Sequence, residues 1–169
     1  MADTNYPPFM NSYGSIKRIL QLAKDAQTPQ RFTQDFLKSL LGYQSGSAEA
    51  IIPLMKRIGL LASDGTPTDL YKRFRNPAES SRAMAEAMRK GYHQIFALKE
   101  NAYTLKREEL DGLITQLTGL SKDHGTVRAI AKTFEALKGF ASFDESASEN
   151  RNSPEGALAV GTQEVGTLS

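Results

Sequence analysis

The sequence predicts an all-α fold made of tandem helix-turn-helix or winged-helix-like units, with at most one short β-hairpin. Three observations predict it. Apolar residues recur every three to four positions in each long segment, the spacing of one buried helix face. No segment alternates apolar and polar residues as a half-buried strand would. Glycines and one Asp-Gly pair punctuate the periodic segments in the order helix, turn, helix, hairpin.

Residues 1–14 read as an N-terminal arm. Tyr6-Pro7-Pro8 and Asn11-Ser12-Tyr13-Gly14 favour extended chain and turns, and Tyr6, Phe9 and Tyr13 are placed to pin the arm to the body. Ser15 suits the N-cap of a first helix that carries Ile16, Ile19, Leu20 and Ala23 on one face. Pro29 ends this stretch by disfavouring helix at Thr28. A second helix spans 33–41, with Phe36, Leu37, Leu40 and Leu41 apolar and Gly42 at its C-terminal cap. Ser47 opens a third, in which Ile51, Leu54, Met55 and Ile58 share a face and Gly59 is the stop. Pro53 would fall about two turns into a helix begun at Ser47, at a cost of about 3 kcal/mol. A kink or a later helix start is therefore expected. Asp64-Gly65 is a hairpin-type turn, so Leu60-Leu61-Ala62 and Thr66-Pro67-Thr68 form a minimal wing.

Thr68 or Asp69 caps a short helix over 70–74, which Asn76-Pro77 breaks. Ser80-Ser81 opens what reads as the longest helix, through about Leu98, with Met84, Ala87, Met88, Tyr92, Ile95 and Phe96 on its face. Gly91 weakens its middle and suits close helix packing. A further helix starts near Lys106 and runs to Gly119. Residues 121–125 turn, and 126–137 form the last helix, with Val127, Ile130, Phe134 and Leu137 inward. Ile51, Met55, Ile58 and Leu61 share their rhythm with Ile130, Phe134, Leu137 and Phe140, offset by 79. The helical domain, 15–143, thus divides into two helix-turn-helix-like units, about 15–76 and 77–143.

The formal net charge of +2 conceals an asymmetry. Residues 1–143 hold 20 Lys/Arg and 14 Asp/Glu, whereas 144–169 hold one Arg and five Asp/Glu. The body is mildly basic, which permits phosphate contact without requiring it. Residues 144–169, rich in Ser, Gly, Asn and Glu, read as a flexible acidic tail or as a linker into a longer protein. No apolar run approaches the roughly 20 residues that cross a bilayer. The polar start, Met1-Ala2-Asp3-Thr4-Asn5, lacks the pattern of a signal peptide. The chain has no cysteine, so disulfides and thiolate metal sites are excluded, and a cytoplasmic protein is expected.

Several segments together resemble a known family. Tyr6-Pro7, Tyr13-Gly14, Arg31-Phe32-Thr33-Gln34-Asp35-Phe36-Leu37, Leu41-Gly42, Ile51-Ile52-Pro53-Leu54, Gly59-Leu60-Leu61, Asp64-Gly65, Pro67-Thr68, Tyr71-Lys72 and Phe74-Arg75 are similar in order and spacing to domain of unknown function 5343, a family of uncharacterised prokaryotic proteins. The resemblance covers roughly residues 6–143. It implies a mostly helical fold and supplies no activity.

No catalytic constellation is legible. His93 and His124 have no second ligand at metal spacing, and no phosphate-binding glycine loop or nucleophile elbow occurs. Glu108, Glu109 and Asp111 sit where acids complement a helix dipole. The expectation is a protein that is not an enzyme and has no cofactor, metal or membrane partner. Binding is the remaining role. In the first unit, the residues at the start of the second helix are Ser45, Ser47 and Glu49, a poor surface for base readout. Lys72, Arg73 and Arg75 after the wing, and Lys122, Arg128 and Lys132 in the second unit, are the candidate contacts to duplex DNA phosphates. The competing reading is a protein-interaction or self-association module, with Met84, Met88, Tyr92 and Phe96 either its pairing face or simply core.

Overall fold

The computed structural model describes residues 6–143. Among these residues the chain is all-α, with eight helices and no strand. The helices are α1 (Ile16–Asp25), α2 (Gln34–Leu41), α3 (Ile51–Arg57), α4 (Asp69–Arg75), α5 (Ser80–Gly91), α6 (His93–Leu98), α7 (Arg107–Thr118) and α8 (Gly125–Lys138). The sequence-predicted tail and the first five residues of the arm lie outside the described residues.

Local chemistry sets most of the boundaries. The Thr33 hydroxyl accepts the Phe36 amide at 3.1 Å and starts α2. Gly42 ends that helix at φ +82°, and Gly119 ends α7 at φ +76°, a conformation that costs a residue with a Cβ. Glu109 accepts the Lys106 amide at 3.0 Å in the first turn of α7. Pro53 is accommodated by the later start. A 3-10 turn, Gly46–Ala50, precedes α3, so Pro53 falls in the first helical turn, where its missing N–H is no loss.

The expected hairpin is reduced to one isolated bridge, Leu61 to Pro67. Ala62 donates to the Thr66 carbonyl at 2.8 Å, and Thr68 donates to that of Leu60 at 3.0 Å. Its tip is not free. Gly65 accepts the Phe32 amide at 2.8 Å, and a side chain at Gly65 would press on the Phe32 carbonyl.

The long helix expected over 81–98 is two helices, broken at Tyr92. The apolar spacing runs through the break, so periodicity alone gave no sign of it. The close packing expected at Gly91 is present. A Cβ there would lie 2.5 Å from Ile58 Cγ2, so α5 passes directly over the end of α3.

The arm is built into the core rather than resting on it. Pro7, Pro8 and Met10 are buried, and Tyr6, Phe9 and Tyr13 pack partly buried against the core. Thr133, wholly buried on α8, accepts the Met10 amide at 3.2 Å. The Tyr92 hydroxyl donates to the Pro8 carbonyl at 2.8 Å, and its ring meets Phe134 edge-on at 5.1 Å. α1 packs on α2, α4 and α8, and α5 packs on α4 and α8, so one core spans both halves. The two proposed units differ in pairing, with α7 directly on α8 but α2 chiefly on α1.

Two measurements follow from this packing. Gly91→Ala is expected to lower unfolding free energy by about 1–3 kcal/mol through overpacking against Ile58. Tyr92→Phe keeps the ring but orphans a buried carbonyl, for a loss of about 1–3 kcal/mol in denaturant titrations. Burial also raises the pKa of two of the six tyrosines. Tyr71 is pushed up from 10.0 to about 12, with Arg75 opposing weakly, and Tyr92 is pushed up further. A raised phenol keeps its full stabilising effect below its ordinary value of 10.0 and loses it as pH climbs through about 12. Ultraviolet titration should therefore show Tyr71 and Tyr92 ionising late, together with alkaline unfolding.

Candidate nucleic-acid interface

The six candidate basic residues divide into two groups. Lys72, Arg73 and Arg75 lie on α4, whose N-terminus is capped by Thr68. That hydroxyl accepts the Tyr71 amide at 3.3 Å and donates to the Gly59 carbonyl at 2.7 Å, locking α4 against the bridge segment. Helical spacing then turns Leu70, Tyr71 and Phe74 inward, all buried.

Two of the three cations on α4 are occupied within the fold. Arg73 Nε lies 2.9 Å from Glu79 and its Nη1 lies 2.9 Å from Glu86, so one guanidinium bridges the start and middle of α5. The planar fork suits such a double contact. Arg75 Nη1 donates to the Thr28 hydroxyl at 2.9 Å and its Nε to the Lys24 carbonyl at 3.3 Å. It thereby fastens the end of α4 to the end of α1. Lys72 is exposed and makes no ion pair among the described residues. The wing beside them is held back by Phe32, with Asp64 3.7 Å from Arg31. Thr66, donating to the Asp64 carboxylate, keeps that acid below its ordinary range.

The second group is different. Lys122, Arg128 and Lys132 are all exposed, and none forms an ion pair among the described residues. Arg128 and Lys132 are four residues apart and so share a face of α8. The opposite face buries Val127, Ile130, Phe134 and Leu137. His124, exposed just before α8, has a structural task. Its Nδ1 accepts the Thr126 amide at 3.0 Å and caps α8. His93 is exposed on α6.

Sequence reading overlooked two further cations on an adjoining helix. Lys17 and Arg18 are exposed on α1, opposite its buried face of Ile16, Ile19, Leu20 and Ala23, and α1 packs on α8. The available signal was a pair of cations set against a clean apolar stripe. The surface that the recognition-helix reading assigns to the first unit begins instead in the 3-10 turn, and the Ser47 carbonyl there accepts the Ser12 hydroxyl at 2.6 Å.

Among the described residues no group of three or more histidines and carboxylates could hold a metal ion. No helix there is long and apolar enough to cross a membrane. The fold and surface define a class: an all-α protein with exposed cations on α1, on α4 and on the outer face of α8. The chain belongs to a family of unknown function, DUF5343, which matches residues 8–148. No curated protein and no solved structure matches it.

The two groups of cations should separate on mutation. Arg73→Ala and Arg75→Ala are expected to lower the melting temperature, each by the equivalent of about 1 kcal/mol or less for partly exposed contacts. Lys72→Ala and Lys132→Ala should leave it unchanged. Thermal melts of the four single variants check this.

Proposed function

We propose that this protein is a non-catalytic binding module of helix-turn-helix type. It binds the phosphate backbone of duplex nucleic acid weakly. Lys122, Arg128 and Lys132 supply the principal contacts, and Lys72 is an outlying one. The observation that carries this reading is the exposed, unpaired state of those three cations at the start of α8 and along its outer face. On this reading α7, the turn and α8 are the helix-turn-helix, with α8 as the helix that meets nucleic acid. Asp123 beside Lys122, and Glu49 in the first half, disfavour tight base-specific readout. Arg73 and Arg75, spent on Glu79, Glu86 and Thr28, are withdrawn from the contact set. The second reading, a protein-interaction or self-association module, loses its expected pairing face, because Met84, Met88 and Tyr92 are fully buried in the core; the exposed Tyr43 and Leu98 are what favour it instead. Their isolation on separate elements makes it the weaker one.

Fluorescence anisotropy with random duplex DNA across a salt series tests the proposal. The variant Lys122→Ala/Arg128→Ala/Lys132→Ala should weaken binding to all duplexes alike and reduce the salt slope by about one per lost contact. If this triple variant folds and binds as the parent does, the cations are a solvated face. Light scattering that shows a stable dimer would then favour self-association.

A further inference from the structure

The arm is held in the way a groove holds a peptide. Residues 7–10 adopt neither helix nor strand, and among the described residues no backbone–backbone hydrogen bond involves residues 6–11. Side chains anchor the arm instead, at alternate positions. Arg57, the last residue of α3, donates to the Tyr6 carbonyl, and Tyr92 donates to that of Pro8 at 2.8 Å. Thr133 of α8 accepts the Met10 amide at 3.2 Å. A spacing of two suits an extended chain, in which alternate residues face the same side. Main-chain hydrogen bonds combined with buried side chains are how grooves recognise extended peptides. Pro7, Pro8 and Met10 are the buried side chains here.

Three features make this peptide exchangeable between chains. Its anchors lie 51, 84 and 123 positions from the residues they hold, so none depends on the local connection. That connection is one exposed turn residue, Asn11. The next residue already belongs to the body, since the Ser12 hydroxyl donates to the Ser47 carbonyl at 2.6 Å and the Ser12 carbonyl accepts the Ser15 hydroxyl at 2.8 Å. Finally, a second copy carries the same arm and the same groove, so each anchor is remade when two chains trade arms.

We propose that two copies of this chain exchange their arms, with residues 6–10 of each lying between Arg57, Tyr92 and Thr133 of the other. The closed and exchanged forms share these anchors. Their balance is set by the local concentration that the tether at Asn11 gives the arm, about millimolar for a short connection. The exchange is independent of nucleic-acid binding.

The full chain has no cysteine of its own, which permits a clean labelling test. One population carries a donor dye at Ala2→Cys, and a second carries an acceptor at Lys56→Cys, an exposed position beside Arg57. Mixed at about millimolar concentration, they should develop energy transfer that reaches a plateau and is lost on dilution to micromolar. Light scattering should pass from dimer to monomer over the same range. Tyr92→Phe removes one anchor from both forms alike, so transfer should appear about tenfold faster and reach the same plateau. Deletion of Asn11 denies the arm its own groove and should give a dimer at micromolar concentration. If that chain does not fold, the kinetics of Tyr92→Phe decide the question. Absence of energy transfer in the concentrated mixture overturns the proposal. So does transfer whose rate is unchanged by Tyr92→Phe, because two closed copies would then be meeting through another surface. A folded, monomeric chain after deletion of Asn11 overturns it as well.

Discussion

The fold depends on the buried hydrogen bond from the Tyr92 hydroxyl to the Pro8 carbonyl. Tyr92 stands where α5 ends and α6 begins, with its ring on Phe134 of α8. One residue earlier, Gly91 lets α5 pass over Ile58 at the end of α3. Two adjacent positions therefore fix where the arm, α3, α5, α6 and α8 meet. The break falls directly after Gly91, where helix propensity is weakest and packing against Ile58 is closest.

The same economy governs the charges. Arg73 is placed by the cap at Thr68 and drawn to α5 by two carboxylates, and Arg75 reaches a carbonyl and a hydroxyl near the end of α1. Each replaces solvent with fixed partners at a helix end. Arg128 and Lys132 on the outer face of α8 meet no such partners among the described residues, because that helix turns its apolar stripe to the core. Charge available for a partner is what remains after the fold has used its share.

Much of this was legible in the sequence. Thr33, Gly42 and Gly119 marked helix ends because capping is local chemistry. The inward faces of α1 and α8 followed from spacing alone. The close approach at Gly91 was legible as well, since a glycine inside a helical pattern asks for a reason. The break at Tyr92 was hidden, because Met84, Met88, Tyr92, Ile95 and Phe96 keep helical rhythm across it. The fate of Arg73 and Arg75 was hidden for a different reason. A sequence displays the charge, but Thr28 lies 47 positions from Arg75, and only the fold brings them together. The burial of Pro7, Pro8 and Met10 left no periodic trace, since an extended strap has none.

That strap bears on how the chain reaches its final state. Met10 is joined to Thr133 across 123 positions, and Pro8 to Tyr92 across 84. On a ribosome, the earliest-made segment must wait until α8 has emerged before it finds its acceptors and donors. Local helices form quickly, but closing so long a loop carries an entropic toll that only the finished core repays. Until then the faces of α5 and α8 that will hold the arm stay open to water, and to other chains. The slowest and most vulnerable step of assembly is therefore the one that joins the two ends of the helical body.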